Sequence, residues 1–295
     1  MNLKNLLAYF NERFPLINMG LFAILFLTVS SVAHFFSFSI QNYLSNIIWG
    51  IVAVISFFFR LRVFDEIKDY KIDMINHPNR VLQSGRVKLN QLMFVSFIMF
   101  IPEIAWTIFN GKTAILCWAV LLLYSLLMRY EFFVSKFLKT QLLLYAATHM
   151  LIMPLIILWV WAAFSPDNLF VKPYFLLASL SFLSGFCFEI ARKTHAPNAE
   201  ITTIDSYSQT IGFMNAIKLI LLFLSLGVFV QFYLLNLINA VWWSFTLIAL
   251  LFFSIAFIYF LSAKKFNEMF LRKAELLVSL FMLMSYLTII ITINF

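Results

Sequence analysis

Acidic side chains are scarce in this sequence: 13 Asp and Glu stand against 21 Lys and Arg in 295 residues. Charge of either sign is thin, at 12% of residues, about half of what a soluble globular domain carries (roughly 25%), and that excludes an ordinary water-soluble fold. Only two cysteines occur, Cys117 and Cys187. They form neither a disulfide framework nor a metal-ligand pattern, and both fall inside apolar runs, where a free thiol acts as a small hydrophobic filler. The alternating polarity of barrel strands is missing, so a membrane β-barrel is excluded as well. The first apolar run is too long for the core of a signal peptide and lacks a small-residue cleavage site, so it is expected to be a retained helix.

What the chain has in abundance is apolar length, with 63% hydrophobic residues. About 20 apolar residues cross a bilayer core of about 30 Å. Runs of that kind lie near 15 to 37, 46 to 64, 91 to 109, 113 to 128, 142 to 164, 174 to 191, 212 to 235, 241 to 263 and 275 to 294. Lipid offers no partner to backbone N–H and C=O groups, so each run is expected to be helical. The predicted fold class is therefore an all-α integral membrane protein, residues 1–295 forming a single bundle of nine transmembrane helices around a central cavity. The preceding segment NLKNLLAYFNERF has apolar residues at helical spacing and suits either a helix lying on the membrane surface or an extension of the first span.

The basic residues give this bundle a direction. With the N-terminus inside, all Lys and Arg residues but Lys112 and Lys172 fall on one side. The positive-inside bias then puts the N-terminus and the long loops in the cytoplasm and the C-terminus outside, with the bacterial inner membrane as the expected location. The net charge of +8 is thereby an orientation signal, and no nucleic-acid partner is needed to explain it. The cytoplasmic loops about 65–90 and 192–211 are long enough to suggest function, as a polar cap over the bundle.

The acids gather where the second run ends, in RVFDEIKDYKIDMINHPNR. At about 100° per residue, with Asp65 at 0°, Asp69 falls near 40°, Asp73 near 80° and Glu66 near 100°, while Arg62 lies on the same face and Lys68 and Lys71 on the far side. Four carboxylates in one quadrant repel, and a hard divalent cation such as Mg²⁺ (magnesium), shared with a phosphate group, answers that repulsion. The alternative is a solvated helix end whose acids pair with Arg62, Lys68 and Lys71. Pro78 should stop the helix near Asn76, letting the following loop bring Arg80 and Arg86 back over the acids as donors to an anion.

A second polar end follows the sixth run, in FCFEIARKTHAPNAEITTIDSYSQTIG. Glu189, Arg192 and Lys193 share a helical face there. The Glu189 and Lys193 spacing also suits a simple helix ion pair of a few tenths of a kcal/mol. One carboxylate with two cations fits a phosphate better than a second metal. TTIDSYSQTIG should begin a short helix with a Thr, Asp or Ser cap. Glu103, His149 and Lys218 lie inside spans, where ionisable groups are costly and face cavities, satisfy a neighbouring helix or reach out to the interface.

Together these stretches resemble the UbiA-type intramembrane prenyltransferase family, whose first signature is N-D-x-x-D-x-x-x-D at the end of the second helix. DEIKDYKID supplies Asp65 at the Asn position, then Glu66, Asp69 and Asp73. The second signature departs, since the family has Asp residues where this chain has Glu189, Arg192 and Lys193. A Tyr and Lys common near the end of the fourth helix are loosely matched by Tyr130 and Lys136. The resemblance implies Mg²⁺-dependent transfer of an isoprenyl group from an isoprenyl diphosphate to a lipophilic, often aromatic, acceptor within the bilayer. It implies Asp69, Asp73 and Glu66 as the catalytic carboxylates, metal ligation by these with Asp65, and diphosphate contacts from Arg62, Arg80, Glu189, Arg192, Lys193 and Lys136. A terpene cyclase of the same scaffold, or a non-catalytic lipid-diphosphate binder or transporter, is compatible with the same residues.

Overall fold

The computed structural model of the protein describes residues 2–37, 43–200 and 205–295, with side chains at all of these but 43, 44 and 139. The part of the second loop at 201–204 lies outside the described residues. The helices are α1 (Leu3–Arg13), α2 (Leu16–Ser37), α3 (Tyr43–Asn76), α4 (Leu89–Phe109), α5 (Gly111–Arg129), α6 (Ser135–Thr140), α7 (Leu142–Met150), α8 (Ile152–Phe164), α9 (Lys172–Arg192), α10 (Tyr207–Ile211), α11 (Phe213–Leu237), α12 (Trp242–Lys265) and α13 (Glu268–Asn294). Among the described residues nine segments are long and apolar enough to cross a membrane, α7 and α8 counting as one, and they coincide with the nine runs read from the sequence. The protein is an integral membrane protein.

Two helices depart from simple spans, for legible reasons. With 34 residues, α3 is about 50 Å long at 1.5 Å per residue, well beyond the apolar core of about 30 Å, so its last turns project past the hydrocarbon. It ends at Asn76, two residues before Pro78, as the proline requires. Gly85, with φ of +76°, then turns the chain back towards α4. The fifth span breaks at Leu151 between α7 and α8, because Pro154 has no N–H to give the carbonyl of Met150.

Packing and buried polar contacts hold the bundle together, since lipid supplies no hydrophobic drive between helices. One apolar cluster joins α2, α3, α4, α5, α8 and α9 around Phe26, Phe57, Trp106 and Trp159, and a second joins α9, α11, α12 and α13 around Ile220, Tyr259 and Phe281. At Gly50 the helices touch, for a Cβ there would lie 2.3 Å from the Phe26 ring and 2.9 Å from Trp106. Glu103 faces no cavity: its carboxylate takes Arg60 Nε at 3.2 Å and Nη2 at 2.8 Å, and Arg60 Nη1 donates to Ser125 at 3.1 Å. That buried pair ties α3, α4 and α5 together. Gln231 does the same for α11 and α13, donating to Ser285 O and Thr288 Oγ1. Lys218 is exposed on the bundle surface, in line with a side chain that reaches for the interface, and both cysteines are buried and free.

The leading segment forms a helix of its own, α1, capped by the Asn2 side chain. Its inner face, with Leu6 and Tyr9, packs on Phe59, Val63, Val81 and Leu82, while Leu3 and Leu7 are exposed.

Candidate active site

The overhanging turns of α3 carry the four acids, and their partners divide them. Glu66 is buried and faces α1, where its Oε1 accepts from Arg13 Nε at 2.7 Å, Arg62 Nη2 at 2.9 Å and Tyr9 OH at 3.4 Å. Burial and the Glu66 charge push the Tyr9 phenol well above its ordinary range, so it serves as a neutral donor. Asp73 accepts from Arg80 Nη1 at 2.7 Å, with Arg13 Nη2 at 3.8 Å. Asp65, half exposed, has only Lys68 Nζ at 3.5 Å. Asp69 is half-buried, feels the charge of Lys68 and against it those of Asp65, Asp73 and Glu131, and has no hydrogen-bond or ion-pair partner at contact distance among the described residues.

The four acids expected on one metal-holding face are thus divided by their partners, a first departure from the helical wheel, and the buried Oε2 of Glu66 has no partner among the described residues. Among the described residues no three His, Cys, Asp or Glu side chains stand together at metal-binding spacing. The reason is α1, whose Arg13 draws Glu66 and Asp73 away, and no spacing rule within α3 contains that contact. Arg80 does fold back over the acids as expected, and the backbone N–H of Val81 fixes its loop by donating to Glu12 of α1 at 2.8 Å.

Lys68 supplies a second departure. The helical wheel sends it to the far side, yet it lies between Asp65 and α7, donating to the hydroxyl of Tyr145 at 2.8 Å. A long lysine stem spans the 60° or so that separates it from Asp65 on the wheel. Tyr145 in turn stacks on His149, with ring centroids 4.0 Å apart. His149 Nδ1 lies 2.8 Å from the carbonyl oxygen of Tyr145, and its Nε2 is buried with no partner among the described residues. Beside it, Glu131, Phe132 and Phe133 take positive φ values, a left-handed turn that sets the Phe132 ring edge-on to His149. Tyr145 was not singled out in the sequence, because a lone Tyr at the start of an apolar run carries no pattern.

The end of α9 is simpler. Glu189 is buried between Arg192 Nη2 at 2.6 Å and Lys193 Nζ at 2.8 Å, so the ordinary ion pairing is present, with one cation in excess. Ser206 caps α10, accepting from Gln209 N, as a Thr, Asp or Ser cap was expected to do. Glu268, at the start of α13, holds this loop by accepting from the backbone N–H of Ala196 at 2.8 Å, and Arg272 donates to the carbonyls of Arg192 and Thr194. Tyr207 is buried against this end with its hydroxyl unpartnered among the described residues. Burial raises its phenol pKa above the ordinary value, and the charges of Glu189 and Arg192 and the phenol of Tyr145 all bear on it. Tyr145 and Tyr207 thus stand within electrostatic reach of each other, one beside each polar end. Tyr130 and Lys136 are both exposed, and Tyr130 stacks on Phe133.

A model described as the UbiA prenyltransferase family matches residues 18–285. The chain belongs to that family. The resemblance seen in DEIKDYKID thus extends over nearly the whole sequence. Among curated UbiA-type relatives, the digeranylgeranylglyceryl phosphate synthase of Methanosphaera stadtmanae is 32% identical over 72 residues, 23% of this chain. The match spans about a quarter of that relative, 26% of its length. Two solved structures share the fold. One, from work on digeranylgeranylglyceryl phosphate synthase in membranes, superposes with a TM-score of 0.69 at 20% identity and covers 99% of both chains. The other is the apo structure of a UbiA homolog from Aeropyrum pernix K1, with a TM-score of 0.70 at 16% identity over 91% of this chain and 97% of that one.

Proposed function

We propose that this UbiA-family protein is an Mg²⁺-dependent prenyltransferase that moves an isoprenyl group from an isoprenyl diphosphate to a lipophilic acceptor in the membrane. The observation that carries the reading is Asp69: a half-buried carboxylate beside Asp65 and Asp73 with no hydrogen-bond or ion-pair partner among the described residues, sharing the charge of Lys68 with Asp65, while the α9 end carries a surplus cation. Such a carboxylate fits a hard divalent ion that also binds phosphate oxygens. Asp69 and Asp65 would hold it. Glu66 and Asp73, occupied by Arg13, Arg62 and Arg80, fix the α3 end in place.

Bound there, Mg²⁺ would offset the charge of the diphosphate and ease its departure. Arg192 and Lys193 then bind phosphate oxygens directly, in competition with Glu189. Arg80 approaches from the loop over α3. The C1–O bond of the allylic donor breaks with its electron pair going to the diphosphate, and the prenyl carbon is captured by the acceptor within apolar walls that keep out water. Orientation follows from the basic loops, which place this end in the cytoplasm.

Full-length protein in lipid nanodiscs, given Mg²⁺, geranylgeranyl diphosphate and geranylgeranylglyceryl phosphate, tests the reading first, because the curated relative's name points to that acceptor class. Quinone precursors and aromatic acids complete the panel. Release of pyrophosphate with a prenylated product is expected. Failure to release it with donors of any chain length and every acceptor would overturn the proposal.

A further inference from the structure

Capture of an allylic cation by an O–H or C–H nucleophile leaves one proton over, and some base must take it. We propose that Nε2 of His149 is that base. The inference rests on the transferase reading above and assigns it a residue that the acidic motifs do not contain.

Three observations converge on this nitrogen. Its tautomer is fixed, because Nδ1 sits 2.8 Å from the Tyr145 carbonyl oxygen, which only accepts; Nδ1 carries the proton, and neutral imidazole leaves Nε2 as a bare lone pair. Nε2 is also buried and has no donor among the described residues, a state that is costly unless a partner arrives from outside the chain. Finally, His149 lies four residues beyond Tyr145 on the same face of α7, about 6 Å farther along the helix axis from the polar end. Tyr145 marks the level of the diphosphate through Lys68 and Asp65. One turn deeper is the level of the donor's C1, where the acceptor must also lie.

The step balances without a further reagent. The acceptor's lone pair forms the bond to C1, the acceptor's own bond to hydrogen breaks with its pair staying on the acceptor, and the proton passes to Nε2. Imidazolium formed there is held by the Tyr145 carbonyl and returns the proton to water when products leave. The charged and titratable groups around the ring are Lys68 and Asp65 of α3, Glu131 of the left-handed turn and Tyr145 of its own helix. Phe132 and the Tyr145 ring supply the apolar contacts.

The test separates ionisation from proton removal. In nanodiscs with Mg²⁺, the non-reactive geranylgeranyl S-thiolodiphosphate reports donor binding, and geranylgeranyl diphosphate with whichever panel acceptor the wild type uses reports transfer. His149→Gln keeps a polar side chain that takes no proton. Its affinity for the analogue should match the wild type, while kcat for transfer falls about 100-fold or more, the usual share of a general base. The wild-type kcat profile should show an acid limb from a group of imidazole type that is absent from analogue binding. Transfer by His149→Gln within about threefold of wild type would overturn the inference and make the departing pyrophosphate the base. If the variant does not fold, a wild-type kcat with no acid limb over the whole pH range in which the protein stays folded overturns it equally, and the limb supports it. A wild type that releases no pyrophosphate fails the transferase reading itself.

Discussion

The polar ends of α3 and α9 are built from the same kinds of side chain to opposite effect. At the end of α9 a single carboxylate, Glu189, is flanked by two cations, so the set is satisfied internally with one positive charge to spare. At the end of α3 four carboxylates share their cations unevenly: Glu66 takes both Arg13 and Arg62, Asp73 takes Arg80, Asp65 takes Lys68, and Asp69 has no ion pair among the described residues and only a share in the charge of Lys68. Counting charges would call the α3 end balanced. Geometry shows it is not, because α1 concentrates the guanidiniums on the buried Glu66. One end is left short of a cation and the other short of an anion, and a metal-bound diphosphate is complementary to both.

The largest effect should come from removing the acid that lacks a partner. Asp69→Asn keeps the size of the side chain and deletes its charge, and is expected to lower transfer by about 100- to 1,000-fold, the usual loss for one preorganised electrostatic contact. Thermal stability should change little, since a half-buried carboxylate repelled by three others is relieved while its attraction to Lys68 is lost. Glu66→Gln should behave the opposite way. It strands Arg13 and Arg62 against a buried amide, a loss of about 3–5 kcal/mol of stability by analogy with breaking a buried ion pair, and its catalytic loss should follow from unfolding. Melting curves beside pyrophosphate release distinguish the two variants. Equal catalytic losses with equal stability would mean that both acids hold the metal and that the division drawn here between them is wrong.

These two acids also show how far the sequence reaches. Their presence, face and helix were legible, because apolar length, the Pro78 stop and a period of about 100° are local properties of the chain. So were all nine spans. What separates Glu66 from Asp69 is the approach of Arg13, 53 positions away, and Tyr145 meets Lys68 across 77 positions. Contacts of that range depend on which helix faces meet, and a uniformly apolar span hides its inward face. Glu103 illustrates the point: a carboxylate in a span reads as a site, and only the structure supplies Arg60 to close it. Where a pairing is local, as in Glu189 with Lys193, spacing alone anticipated it.

A middle-sized effect should separate metal from protein cations. Chelating Mg²⁺ is expected to weaken binding of the thiolodiphosphate analogue without abolishing it, because Arg192 and Lys193 remain. Arg192→Met with Lys193→Met should weaken it further, about 10- to 100-fold for the loss of one charge-assisted contact. Calorimetric titration of the four combinations reads both contributions. If the double variant binds as well as wild type in Mg²⁺, the surplus cation of the α9 end does not meet phosphate, and the complementarity between the two ends fails.

The smallest effect should come from Lys136, which the family resemblance nominates. It is exposed on the short helix α6, and an exposed charge contributes at most a few tenths of a kcal/mol. Lys136→Ala should leave KM and kcat within about twofold of wild type, the limit set by a contribution of that size. Lys68→Met, by contrast, removes the ammonium that joins Asp65 to Tyr145 and should raise KM for the donor more than it lowers melting temperature. A larger loss at Lys136 than at Lys68 would show that α6 moves onto the diphosphate when donor binds. The cationic wall of the site would then lie beyond the end of α5, with the α7 contact serving only to anchor a side chain.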